Sequence, residues 1–346
     1  MSMDELIKLL KTDKYSDASD IIVDRFGRLF DYARIAVNEK CNLRCVYCMP
    51  EEGINFKPDR DLLSNTEIKR VISILSGLGI KKIRFTGGEP LLRKDIFDLI
   101  EYTSVKEKIR SIHLTTNGIL LKKMVDRLVS SGLNGVNISL DTLKPENFKL
   151  ITRRFGLEKV INGLESAIST KALKVKLNVV LMRNFNDDEL LSFAELTKSR
   201  RIVVRFIELM PFDSKQIWKT GKFYGFKEII SELKNIYPNM ETAIGTKTEH
   251  SIFQVPGYLG KIAVIPAYSR NLCGACNRIR ITADGKILNC LFSNLEHDLR
   301  ELLRNNGDDV LIKKLIKNVM LDKMENGWLA QKSGADRRNS MTQIGG

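Results

Sequence analysis

The chain contains no apolar run long enough to cross a bilayer as a helix. It opens on Met1-Ser2-Met3-Asp4-Glu5, which lacks the basic-then-apolar pattern of an export leader. The short apolar stretch at 6–10 is interrupted and followed by lysine. These absences predict a soluble, intracellular, cytoplasmic protein without a membrane partner. No short repeat, low-complexity tract or long flexible linker is present. Aromatic residues make up only 7%, and no nucleic-acid-binding motif stands out. That argues against an RNA-binding protein, which needs stacking platforms beside a basic stripe. Cysteine is sparse too, with six residues in two groups of three. In a reducing compartment clustered cysteines serve metals more often than disulfides.

The 346 residues are 43% hydrophobic, enough for one large domain or a domain with an addition. Net charge is +14, from 56 basic and 42 acidic side chains. The basic residues are spread along the chain, so most read as solvated surface, and individual arginines must be argued from position.

The middle of the chain alternates β-rich runs with amphipathic stretches. Strands are predicted at 33–37, 82–86, 111–115, 135–140, 175–181 and 203–209. Helices are predicted near 95–105, 119–129, 157–168 and 188–198. Ile68, Val71, Ile72, Leu75 and Leu78 mark a further helical face, with Ser64 and Glu67 spaced as its capping box. Six β-then-α units in succession predict a parallel sheet, curled as a partial (β/α)6 barrel or open and doubly wound. After Met210 the pattern changes. A helix near 226–236 is followed by strands at 261–265, 278–282 and 286–290, the last two joined by the turn Ala283-Asp284-Gly285, and by a helix near 311–324. The expected division is an N-terminal extension at 1–23, a core at 24–215 and a C-terminal region at 216–346.

Cys41, Cys45 and Cys48 follow the first strand with the spacing C-x3-C-x2-C, and Tyr47 precedes the third. Three thiolates on one loop can hold three irons of a [4Fe–4S] cube. The fourth iron then stays open to a small molecule. A structural zinc site or a plain electron-transfer cluster would call for a fourth ligand. After the second strand comes Thr86-Gly87-Gly88-Glu89-Pro90. Here the chain resembles the radical SAM superfamily, whose members use such a cluster to split S-adenosylmethionine into methionine and a 5'-deoxyadenosyl radical. The resemblance implies that Gly87 and Gly88 let backbone approach the amino group of S-adenosylmethionine and that Glu89 suits a cationic partner.

The polar residues fall at the carboxyl ends of the predicted strands, where β/α barrels place their sites. Thr115, Asn117, Asn137, Ser139, Asp141, Lys176, Asn178, Arg205, Glu208 and Met210 are the members. Cys273, Cys276 and Cys290 form a second triad, C-x2-C-x13-C. Spacing alone leaves it evenly between a second cluster and a zinc ribbon completed by His297 or His250.

With Arg278 and Arg280 just beyond the pair Cys273 and Cys276, and Gly345-Gly346 at the end, residues from about 24 to 346 resemble the GTP 3',8-cyclase family of molybdenum cofactor biosynthesis. The resemblance implies a partial (β/α)6 barrel with a C-terminal layer carrying a second [4Fe–4S] cluster. It also implies cyclisation of GTP to a 3',8-cyclic product, a radical SAM lyase reaction. Tyr47, Gly88, Ser139 and Met210 would line the S-adenosylmethionine site. Arg34, Arg84, Thr115, Lys176, Arg278 and Arg280 would contact GTP. Arg278, Arg280, Gly345 and Gly346 would act at the catalytic centre. Implied partners are a ferredoxin- or flavodoxin-like electron donor and a downstream cyclic pyranopterin monophosphate synthase, and a homodimer is left open. Two departures stand out: Asn38-Glu39-Lys40 replaces a sequence nearer Thr-Asp-Arg, and Ala36 replaces serine. The competing readings are a peptide-modifying radical SAM enzyme and a zinc-containing RNA-binding protein.

Overall fold

A computed structural model of the chain describes residues 20–210, 221–243, 251–269, 273–305, 307–332 and 340–345. Most of the expected N-terminal extension, His250 and Gly346 lie outside the described residues.

The short hairpin β1 (Ile22–Val23) and β2 (Leu29–Phe30) leads into β3 (Tyr32–Ala36). Then follow α1 (Asn65–Gly77), β4 (Lys82–Thr86), α2 (Ile96–Ser104), β5 (Ser111–Thr116), α3 (Leu121–Ser130) and β6 (Gly135–Ser139). Next come α4 (Pro145–Thr152), α5 (Leu157–Ser169), β7 (Lys174–Leu181), α6 (Leu190–Ser199) and β8 (Val203–Glu208). Strands β3 to β8 pair in order and in parallel, the sheet that the alternation predicts, curled as the partial barrel that the resemblance implies. Their two-residue period separates two faces. On β7, Val175, Leu177, Val179 and Leu181 are buried against the helices, while Lys176, Asn178 and Val180 are half-buried on the inner face. The capping box at α1 is formed: Ser64 Oγ accepts from Glu67 N, and the Glu67 carboxylate accepts from Ser64 N at 2.7 Å. Helix α4 was not anticipated. It is short, and of its residues only Phe148, Ile151 and Thr152 are buried, too few to announce a helical face.

The C-terminal third comprises α7 (Phe226–Ile236), β9 (Glu241–Ala243), β10 (Ser251–Gln254), β11 (Lys261–Ile265), β12 (Arg278–Ile281), β13 (Lys286–Leu288), β14 (His297–Asp298), α8 (Arg300–Arg304), α9 (Asp309–Leu321) and α10 (Gly327–Lys332). Its strands extend both edges of the same 12-stranded sheet, in the order β14-β13-β12-β3-β4-β5-β6-β7-β8-β11-β10-β9. β11 lies parallel to β8, and β12 lies parallel to β3. Thus residues far apart in sequence share one inner face. In register, Arg280 stands beside Arg34, and Arg34 beside Arg84, three guanidinium side chains abreast on adjacent strands.

Candidate active site

The inner face encloses a cavity of about 380 Å³ whose wall includes all six cysteines. That volume is within the range of about 300–1,000 Å³ typical of small-molecule sites.

The loop after β3 carries the first triad. Cys48 N and Met49 N donate to Cys45 O at 2.9 and 3.0 Å, which winds the loop into a turn. Arg44 N and Val46 N donate to the carbonyls of Thr152 and Ile151, both at 2.9 Å, fastening it to the end of α4. Burial pushes all three thiols up: Cys48 to about 12, helped by the Cys41 charge, and Cys45 well above its usual range, helped by Cys48 and Asp141. Buried thiols that oppose one another's ionisation suit a cationic metal centre, which stabilises the thiolates. Among the described residues no three His, Cys, Asp or Glu side chains converge as ligands of a single ion. In a cube each thiolate takes a different iron, so its three sulfurs stand apart. Three thiolates on one loop beside the cavity fit three irons of a [4Fe–4S] cluster.

The glycines after β4 are packed against that loop. A Cβ on Gly88 would lie 2.3 Å from Lys40 O and 2.5 Å from Glu39 O; one on Gly87, at φ 137°, would lie 2.4 Å from Asn38 O. Gly88 N donates to Asn38 O at 3.0 Å and Glu89 N to Lys40 O at 2.8 Å. Most of these contacts are made by backbone, which is how the departures at Asn38, Glu39 and Lys40 are absorbed. Glu89, expected to suit a cationic partner, is not on the cavity wall. It is buried, and its carboxylate accepts from Leu91 N at 3.0 Å, Thr116 Oγ1 at 2.8 Å and Asn117 N at 2.7 Å. Asn117 in turn reaches Asn42 on the cysteine loop at 2.7 Å. Glu89 is a brace between β4, β5 and that loop.

Tyr47, Gly88, Ser139 and Met210 all line the cavity, as do Arg34, Arg84, Thr115, Arg278 and Arg280. Lys176 does not reach its wall, although Asn178 and Val180 on the same strand do. Tyr47 donates its hydroxyl to Asp141 at 2.6 Å. With its amide oxygen turned towards the arginines, Asn137 accepts from Arg84 at 2.6 Å and from Arg205 at 2.8 Å. Burial, Arg34 and Arg278 push the Arg280 pKa down to about 9. Cations crowded in a buried space are relieved by an anion, and guanidinium groups match phosphate oxygens in geometry.

The second triad sits across the cavity. Cys273 Sγ accepts from Gly327 N at 3.3 Å, and its carbonyl accepts from the buried Arg28 at 2.9 Å. Burial raises the Cys276 thiol, but Lys323 and Arg278 outweigh it and bring it to about 7. His297, on β14, is not part of the wall, so it does not complete a zinc ribbon there. The described end of the chain covers the first triad. Ser340 Oγ and Met341 N donate to Cys48 O at 2.9 and 3.2 Å, and Gly345 O accepts from Arg280 at 3.2 Å.

Sequence reasoning missed Tyr32 and Lys323. Tyr32 lies on β3 beside Arg278 and Lys82, its ring 5.0 Å from Lys82 Nζ and its hydroxyl 3.2 Å from Arg34 Nε. The period of two that marks Arg34 as inward-facing marks Tyr32 as well. Lys323 sits in the loop after α9, buried, and donates to the Asn289 carbonyl; no local pattern announces it.

Residues 35–197 match the radical SAM superfamily, and residues 202–328 match the family described as Molybdenum Cofactor Synthesis C. Two structures of Streptococcus suis SuiB, one with S-adenosylmethionine bound, share the fold. Their TM-scores are 0.59 and 0.56 at 17% and 18% identity, covering 96% and 84% of this chain and 82% and 69% of theirs. Fold, cysteine loop and cavity together define a radical SAM enzyme. The GTP 3',8-cyclase of Chlorobaculum tepidum is 44% identical over 326 residues, 94% of this chain and 97% of that protein. That of Alkaliphilus oremlandii is 41% identical over 323 residues, 93% and 99% of the two chains. This chain belongs to the GTP 3',8-cyclase family. Its cofactors are two [4Fe–4S] clusters and S-adenosylmethionine, and the two cysteine triads on the cavity wall fit the clusters. Human molybdenum cofactor biosynthesis protein 1 is 43% identical over 299 residues, and the chain spans about half of that longer relative, 47%. Among the described residues no helix is long and apolar enough to cross a membrane.

Proposed function

We infer that the chain cyclises GTP to (8S)-3',8-cyclo-7,8-dihydroguanosine 5'-triphosphate, the first step of molybdenum cofactor biosynthesis. The observation that carries this reading is the placement of Arg280, Arg34 and Arg84 abreast in a cavity bounded by both cysteine triads. When bound beside the first triad, the cluster and S-adenosylmethionine would supply the radical chemistry by which C3' of the ribose loses hydrogen and joins C8 of the guanine. The protein's own work is to bind, orient and exclude water. Arg34, Arg84, Arg278 and Arg280 hold the triphosphate, with Thr115 beside them. Lys176, on the same inner face but short of the wall, joins them only by extending towards the cavity on binding. Tyr47, Gly88, Ser139 and Met210 seat S-adenosylmethionine. Cys273, Cys276 and Cys290, near the arginines of β12, would hold the second cluster, which would receive the guanine. Residues 340–345 close the site from the side of the first triad, keeping a reactive intermediate from water.

The partners of this reading are a reduced electron carrier, a synthase that converts the product to cyclic pyranopterin monophosphate, and, where it dimerises, a second copy. A cytoplasmic location fits them. The test is anaerobic incubation of iron-loaded protein with S-adenosylmethionine, reductant and GTP, followed by mass spectrometry. 5'-Deoxyadenosine together with a cyclised GTP product is expected. 5'-Deoxyadenosine with intact GTP would move the substrate elsewhere, as the peptide-modifying alternative requires. Cys41→Ser is expected to abolish the cleavage. Arg278→Ala is expected to weaken GTP binding while cleavage without substrate survives.

A further inference from the structure

The inner side of the first cysteine loop faces the cavity, where small molecules bind. An electron carrier must therefore approach from the outer side, which α4 and the residues after it cover. The connection is close. Val46, next to Cys45, donates its N–H to Ile151 O at 2.9 Å, and Ile151 adjoins Leu150 at the surface. One hydrogen bond and two peptide units separate a cluster ligand from solvent-exposed side chain. Arg153, held at φ 54°, donates to the carbonyls of Arg44 at 3.2 Å and Met49 at 3.0 Å, so this segment grips both ends of the loop.

The outer surface of the segment is unusual. Leu150 is 62% exposed and Phe155 77% exposed, high values for large apolar side chains. Lys149 Nζ lies 4.6 Å from the Phe155 ring, which fixes an aromatic face beneath a cation. Arg154 is exposed next to it. Apolar residues rimmed by charge mark docking surfaces. Four positions of this short stretch, Lys149, Arg153, Arg154 and Lys159, are basic, against Glu146 and Glu158 on the flanking helices. The sign agrees with the net +14 of the whole chain.

We propose that Lys149, Leu150, Arg154 and Phe155 form the docking site of an acidic electron-carrier protein, one whose redox group is exposed at a rim of carboxylates. The proposal rests on the radical SAM reading of the first triad and not on the identity of the substrate. In the transfer the carrier loses one electron and the first cluster gains one, with no proton or ligand exchanged. Small, charge-steered, short-lived contacts of this kind suit redox partners.

The experiment compares wild type with Arg154→Glu combined with Phe155→Ser, and with Lys149→Glu alone. Cluster reduction is followed anaerobically by its visible bleaching, driven either by reduced flavodoxin or by dithionite. Binding of flavodoxin is measured in parallel by calorimetry at low and high salt. The double variant is expected to lower the flavodoxin-driven rate about tenfold or more and to weaken binding. Dithionite-driven reduction and iron content are expected to stay at wild-type levels. Lys149→Glu is expected to give a smaller loss that shrinks as salt is raised. Equal flavodoxin-driven rates in all three proteins would overturn the proposal. So would a parallel loss with dithionite, since the segment would then act by shaping the cluster loop. Because the readout is reduction of the cluster, a failed GTP assignment leaves the test intact.

Discussion

The most decisive structural test concerns Glu208, at the end of β8. Its side chain is buried, and one carboxylate oxygen accepts from Phe226 N at 2.7 Å and Ser269 Oγ at 2.6 Å. The other accepts from Tyr268 N at 2.9 Å and Ser269 N at 2.8 Å. This single group ties the barrel's last strand to α7 and to the segment that runs towards Cys273. In Glu208→Gln one oxygen becomes an NH2 group. Facing the second pair, it opposes two N–H donors; facing the first, it opposes one N–H, and the serine hydroxyl can rotate to accept. The better orientation still leaves a buried donor unmatched and removes the charge from the remaining bonds. At about 1–3 kcal/mol for an unmatched buried donor, plus the weakening of the charged bonds, the expected cost is about 2–4 kcal/mol. Anaerobic urea unfolding of the cluster-loaded protein reads the stability, and iron analysis reads the second cluster, whose loop should loosen first. A Gln variant within about 0.5 kcal/mol of wild type with full iron would refute the clamp.

Gly88→Ala should displace the cysteine loop, because the new Cβ meets two backbone carbonyls that cannot rotate away; a cost of about 1–3 kcal/mol or more and loss of iron from the first triad are expected, checked by unfolding and iron content. For Tyr32, burial raises the phenol's pKa, but Arg34, Arg84, Lys82 and Arg278 outweigh it and lower it to about 7. A folded value below the unfolded one means that the phenolate stabilises the nucleotide-free protein as pH rises from about 7, and that this is lost as pH falls through about 7. Phenolate and triphosphate compete for the same cations, so GTP affinity should decline as pH rises through that value, and calorimetry on Tyr32→Phe should show the step flattened. Arg280→Gln should release the chain end from β12, seen as faster carboxypeptidase trimming and a GTP KM raised about tenfold, the loss expected for a charged hydrogen bond.

The barrel strands were legible because each alternates. On β4 the pattern Lys82-Ile83-Arg84-Phe85-Thr86 puts apolar side chains on one face and chemistry on the other, and its bounds are as expected. The hairpin at Ala283-Asp284-Gly285 was legible because Gly285, at φ 78°, takes a conformation glycine adopts without strain. What periodicity does not encode is pairing between distant strands. Nothing near Arg278 says that β12 lies beside β3, or that β11 lies beside β8. Glu89 misled for a related reason. A carboxylate after two glycines suggests a ligand contact, but its true partners, Thr116 and Asn117, come from the next strand.

The pairing of β12 with β3 also explains how one cavity can take two cosubstrates of opposite charge. Arg278 and Arg280 arrive from the C-terminal third and join Arg34 and Arg84 on one stretch of wall. Further round, the loop after β6 carries Asp141, which burial raises to about 6 and which holds the Tyr47 hydroxyl near the first triad. At neutral pH that carboxyl is largely ionised, so the cavity is cationic on one side and carries an anion on the other. A triphosphate placed on the Asp141 side, or a sulfonium placed among the arginines, would face like charge with little water to screen it. Electrostatics therefore sorts the two molecules before any specific contact is made. The barrel core alone would lack Arg278 and Arg280, two of the six basic side chains on the wall.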